Sequence, residues 1–131
     1  MPNQYGTNSE EKLNQCHPDL QKVFRAVLKK FDHSILEGHR GRIRQNELYE
    51  NGKSKVKYPN GKHNKIPSEA VDAVPYPIDW SNRERMTLFA GWVLGVAQAM
   101  GIAIRWGGDW DQDTEVIDNN FDDLVHFELV R

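Results

Sequence analysis

Two stretches of the chain repeat apolar residues at helical spacing, and these do most to narrow the fold. In the first, Leu20, Val23, Phe24, Val27, Leu28 and Phe31 share one face of a helix expected over residues 18–31. Pro18 opens it, because a fixed φ and a missing N–H suit a first helical turn. In the second, Met86, Phe89, Ala90, Val93, Ala97 and Met100 form a stripe that reads as core rather than ligand site. Ser81-Asn82-Arg83-Glu84 precedes it at capping-box spacing, and Gly101 follows its end at Met100. A shorter helix is expected over 42–50, ended by Asn51-Gly52. Residues 34–38, 69–74, 102–106 and 125–130 read as extended, with Pro75-Tyr76-Pro77 closing the second of these. The order predicts an α+β fold, with strands sharing a sheet and helices packed against it.

With 131 residues, 38% hydrophobic and 27% charged, the chain fits one globular domain over 1–131, led by a polar segment of about twelve residues. A net charge of −2 gives no general attraction to nucleic acid. Cys16 is the single cysteine, so no internal disulfide forms, and a small buried apolar role is its ordinary reading. The N-terminus shows no apolar signal-peptide core, and no window reaches the roughly 18 apolar residues of a membrane span. No membrane insertion is expected, and a protein of this kind working outside the membrane needs another agent to release it. Residues 53–65 carry five lysines and read as a surface loop, either simply solvated or in contact with an anionic cell wall.

Chemistry-bearing residues gather at loops and strand ends: Arg40, His63, Asp72, Asp123 and His126. A catalytic zinc commonly takes three protein ligands, nitrogen or carboxylate oxygen, and leaves a position for water. Two histidines and an aspartate meet that need, and the nine residues from His63 to Asp72 are enough chain to turn back on one ion. On a regular final strand Asp123, three residues before His126, would face away from it, so Asp123 is expected in the preceding turn, where a carboxylate can act as general base. Taken alone, His126 has a satisfied sheet histidine as its ordinary reading. Asp109, Asp111 and Asp113, followed by Glu115 and Asp118, alternate in a way that can coordinate calcium, with a solvated acidic loop as the alternative. Thr114 and Asn120 at the sixth and twelfth loop positions exclude an EF-hand. His17, His33 and His39 show no ligand pattern.

Read in order, Glu37-Gly38-His39-Arg40, then Lys62-His63 through Pro67-Ser68-Glu69-Ala70-Val71-Asp72, then Asp123-Leu124-Val125-His126-Phe127-Glu128-Leu129, resemble the zinc peptidases of the phage-endolysin type. These are the L-alanyl-D-glutamate endopeptidases and their D-Ala-D-Ala carboxypeptidase relatives. The resemblance covers residues 9–131 and includes Val74-Pro75-Tyr76-Pro77-Ile78-Asp79-Trp80. It implies a small antiparallel sheet packed with helices, the fold shared with D-Ala-D-Ala peptidases and the hedgehog domain. It also implies His63, Asp72 and His126 as ligands of one zinc ion, Asp123 as catalytic carboxylate, and Arg40 as the arginine that binds substrate and steadies developing negative charge. Gly61 stands where the family often has serine, which bears on support of the site. The His63 to Asp72 spacing is two residues longer than the common one, which enlarges a loop.

The function implied is zinc-dependent hydrolysis of the L-alanyl-D-glutamate bond in bacterial peptidoglycan stem peptides, causing lysis. Asp123 would take the proton from water, while Arg40 offers charge-assisted hydrogen bonds to the oxyanion or a substrate carboxylate. A monomer is expected, waiting in the host bacterial cytoplasm before release to the wall. The alternatives are a D-Ala-D-Ala carboxypeptidase of wall remodelling, which could use the same ligands, and a non-catalytic zinc or cell-wall-binding module. Retention of Asp123 beside His126 speaks against a module, because binding alone needs no base.

Overall fold

The structure is a computed structural model that describes residues 2–116 and 122–131. Its helices are α1 (Thr7–Asn14), α2 (Pro18–Leu28), α3 (Arg42–Glu50) and α4 (Arg83–Ala99). The strands are β1 (His33–Glu37), β2 (Ala70–Pro75), β3 (Ile104–Gly107) and β4 (Asp123–Leu129), antiparallel in the order β1-β2-β4-β3.

Alternation along the strands divides the sheet into two unlike faces. Val71, Ala73, Ile104, Trp106, Phe127 and Leu129 join the core with the stripes of α2 and α4. Its centre is aromatic: the Phe127 ring meets those of Phe24 at 5.4 Å and Phe89 at 5.8 Å. Between those residues stand Asp72, Arg105, His126 and Glu128, which pair with one another away from the core.

Several boundaries differ from expectation, each for a local reason. The polar lead-in contains α1, which packs on β1 through Leu13, fully buried, and through the Ile35 amide, which donates to Ser9 Oγ at 3.0 Å. With one buried apolar residue, it has no stripe to announce it. Asn82, not Ser81, caps α4 by accepting from the Arg85 amide at 3.1 Å, while the Ser81 hydroxyl donates to Asp79 at 2.7 Å. Met100 is 44% exposed because it lies past the last helical residue, and Gly101 takes a φ of +74° there. The Ile102 amide is used by the α4 carbonyl of Ala97 at 2.9 Å, so β3 begins at Ile104. Phe31 lies beyond the end of α2, yet its ring still packs on Phe89 at 5.3 Å.

His33 is the buried histidine of the core side, 2% exposed. Its Nε2 lies 2.6 Å from the Tyr5 hydroxyl and its Nδ1 2.9 Å from the Phe31 carbonyl. Burial disfavours the imidazolium more than that carbonyl favours it, and the pKa falls from 6.5 to about 4. The unfolded chain therefore binds this proton first as pH falls. The associated stability is complete above pH 6.5 and is lost as pH drops toward 4, up to about 3 kcal/mol. Urea unfolding between pH 7 and 4.5 is predicted to show a shallower loss of stability for His33→Gln than for the parent chain; parallel curves would detach His33 from the acid response.

Candidate functional site

The register of the two central strands sets Asp72 directly opposite His126 on the polar face of the sheet. His63 arrives from a single 3₁₀ turn, Lys62–Asn64, whose carbonyls anchor it: Lys62 O accepts from the Glu69 amide at 3.0 Å and His63 O from the Arg40 amide at 2.8 Å. The Asn64 side chain donates to the Arg40 carbonyl at 2.8 Å and accepts from the Gly61 amide at 2.9 Å. A Cβ at position 61 would meet that Asn64 oxygen at 2.8 Å, so glycine suits the turn as built and Asn64 supplies the support. Residues 65–69 connect that turn to β2.

His63, Asp72 and His126 are all buried, and each offers a ligand atom within 4.8 Å of the others. Asp72 Oδ1 lies 3.1 Å from His63 Nε2 and 3.4 Å from His126 Nδ1. The opposite polar atom of each residue is tethered elsewhere. His63 Nδ1 donates to the Gly38 carbonyl at 2.7 Å, and Asp72 Oδ2 accepts from Arg40 at 3.2 Å. His126 Nε2 pairs with Glu128 Oε1 at 2.8 Å, and the other Glu128 oxygen accepts from Arg105 at 2.7 Å. Such outer partners fix the orientation of ligands and leave Nε2, Oδ1 and Nδ1 converging. Two imidazoles and a carboxylate so arranged could hold a metal ion.

The charges are mutually dependent. Burial works against an ionised Asp72, but His63 and His126 outweigh it and hold the carboxyl well below the usual range. Burial likewise opposes the His126 imidazolium, yet the hydrogen bonds it donates to Asp72 and Glu128 lift it to about 9. Glu128, against its own burial, is drawn down to about 2 by His126 and then Arg105. Asp123 moves the other way: burial and the neighbouring Asp72 charge raise its proton affinity, against the pull of His126, His63 and Arg40.

Asp123 is the first residue of β4 rather than part of a preceding turn. Trp106 pairs with Phe127 but Gly107 pairs with Asp123, an irregularity that breaks the alternation which would have turned Asp123 away. Backbones approach closely there: a Cβ at Gly107 would lie 2.1 Å from the Asp123 carbonyl. Asp123 thereby lines, with His63, His126 and Arg40, a cleft of ≈ 480 Å³. Arg40 is anchored by Glu37, which it meets through Nε at 2.9 Å and through its Nη2, by Gln45 at 3.2 Å and by Asp72. These contacts use at least four of a guanidinium's five N–H groups. Gln45 in turn donates to Ser54 at 2.9 Å and the Val56 carbonyl at 2.6 Å, tying Arg40 to the lysine-rich loop.

Glu37, Gln45, Arg105 and Glu128 had no assigned role in the sequence. Glu128 had one signal: two residues after His126, it shares that strand face. The acidic loop brings the carboxylates of Asp109, Asp111 and Asp113 within 4.8 Å of one another, but they accept from the loop's own amides at Asp113, Thr114 and Glu115. Their proximity alone does not support calcium, and Asp118 and Asn120 lie outside the described residues.

The family model for phage L-alanyl-D-glutamate peptidases matches residues 1–130. The L-alanyl-D-glutamate peptidase of Escherichia phage T5 is 32% identical over 139 residues, covering 99% of this chain and 100% of that one. Among solved structures, the L-Ala D-Glu endopeptidase ChiX of Serratia marcescens matches with a TM-score of 0.74 and 29% identity, over 98% of this chain and 91% of its own.

Glu128 is predicted to matter through His126. Glu128→Ala should weaken binding of a divalent metal by about 10- to 100-fold in competition with a chromophoric chelator; parental affinity would show that His126 needs no such partner.

Proposed function

The chain belongs to the family of phage L-alanyl-D-glutamate peptidases, and on that premise we propose that it hydrolyses the L-alanyl-D-glutamate bond of peptidoglycan stem peptides, with one zinc ion held by His63, Asp72 and His126. The observation that carries this reading is the convergence of three oriented ligand atoms beside a carboxylate of raised proton affinity in one cleft. Zinc, when bound, supplies Lewis acidity toward water and toward the scissile carbonyl.

The remaining chemistry belongs to this chain's residues. Asp123 accepts the proton of the attacking water and returns it to the leaving amine, a role favoured by a carboxyl whose proton affinity is raised. Arg40, held by Glu37 and Gln45, presents a fixed positive charge to the developing oxyanion at no cost of reorganisation. Its contact with Asp72 also fixes the orientation of that carboxylate. We take the unit of action to be a monomer. Among the described residues no helix is long and apolar enough to cross a membrane. We take the protein to act as a lysin that reaches the wall from the host cytoplasm once the membrane has been opened.

Mass spectrometry of digested peptidoglycan tests the reading. New D-glutamate amino termini, abolished by a chelator and restored by zinc, are expected. Released D-alanine would indicate a carboxypeptidase instead, and intact walls a binding module. Asp123→Asn is predicted to retain metal at parental stoichiometry while kcat falls about 10²- to 10⁴-fold; full activity in that variant would remove Asp123 from the mechanism.

A further inference from the structure

We propose that the basic face built by α3 and the loop after it docks the protein on polyanionic peptidoglycan, through carboxylates of stem peptides neighbouring the one being cut. The identity of the polymer rests on the peptidase reading; the surface itself rests on charge and placement.

Residues 42–65 contain seven Lys and Arg against Glu47 and Glu50, a formal charge of +5 in a chain whose net charge is −2, so the remaining residues carry −7. Such separation within a small domain creates a strongly directional field. Arg42, Arg44, Lys53, Lys55, Lys57 and Lys65 are exposed. The loop folds back on α3: the Tyr58 amide donates to Asn46 Oδ1 at 3.1 Å and Gln45 reaches Val56 O, so helix and loop form one surface.

Among the described residues, two of these cations have no ion-pair partner. Arg42 lies 5.9 Å from the centre of the Tyr58 ring and Lys57 5.0 Å from that of Tyr49, over aromatic faces rather than against carboxylates. The surface also continues into the cleft, whose lining includes Lys53, Lys55 and Lys62 together with His63. A polymer lying along the basic face is thereby led to the site.

Substrate chemistry supplies the complement. Glutamate gives its nitrogen to the scissile bond and has two carboxyl groups, of which only one can carry the rest of the stem. Each repeat can therefore present a free carboxylate close to the bond cut, and a polymer of such repeats is a polyanion. Many weak contacts of this kind retain an enzyme on an insoluble substrate without altering its chemistry.

The test uses Arg42→Glu combined with Lys57→Glu, which takes the face from +5 to +1 and touches neither the cleft lining nor the metal centre. The readouts are pelleting on ice with peptidoglycan stripped of phosphate polymers, across a salt series, and kcat/KM on a soluble stem peptide. Pelleting affinity is expected to fall about tenfold or more at low salt, with a flatter salt dependence, while soluble-peptide cleavage stays within about twofold. Unchanged pelleting would overturn the proposal, as would an equal loss on the soluble peptide. Charge-dependent pelleting confined to walls that retain phosphate polymer would overturn it too, by assigning the face to a different ligand. Failure of the parent chain to cleave the soluble peptide would instead count against the peptidase reading, since pelleting does not depend on cleavage.

Discussion

Asp72 stands opposite His126 because β2 and β4 pair in one register, and that register is selected by the other face of the sheet. Val71 and Phe127, also partners, are fully buried against α2 and α4. A slip of one strand by a single residue would turn its core residues outward and its polar residues into the apolar layer. The hydrophobic burial that stabilises the fold therefore also assembles the candidate metal centre. Alternation alone is not enough, however. Asp123 reaches the same cleft because the β3–β4 ladder is irregular at Gly107, where a side chain would collide with the strand opposite.

The second constraint is electrostatic. Asp72, His63 and His126 are buried, as are Arg40 and Glu128, and isolated charges in such surroundings cost several kcal/mol each. They are tolerated because each is paired: Arg40 with Glu37 and Asp72, His126 with Asp72 and Glu128, Glu128 with Arg105. The same pairings aim the ligand atoms inward. Asp123 stands apart, the carboxyl here whose proton affinity rises, and so the group suited to moving a proton.

How much was legible in the sequence varied with how far each feature depended on local pattern. The helices α2 and α4 carried apolar stripes, and α3 ended where Asn51-Gly52 punctuated it, so all three were readable. The α1 helix was not, since Leu13 is its one buried residue and packing on β1 provides the rest. The set His63, Asp72 and His126 became specific through resemblance to a family; taken alone, His126 read first as a sheet histidine. The side on which Asp123 lies depends on a ladder irregularity that no local pattern encodes. Arg105 acts across strands on Glu128, and Glu37 and Gln45 reach Arg40 through the turn between β1 and α3, which no repeating pattern marks, while Glu128 could have been found from its shared face with His126.

The proposed chemistry turns on one ion held by residues that the β2–β4 register brings together. Anomalous diffraction at the zinc edge, from crystals of the zinc-loaded protein, tests this most directly. The expected result is a single strong peak about 2.0–2.2 Å from His63 Nε2, His126 Nδ1 and an Asp72 oxygen, with His126 Nε2 still on Glu128. A peak on Asp109, Asp111 and Asp113 instead, or zinc bound without Asp72, would contradict it.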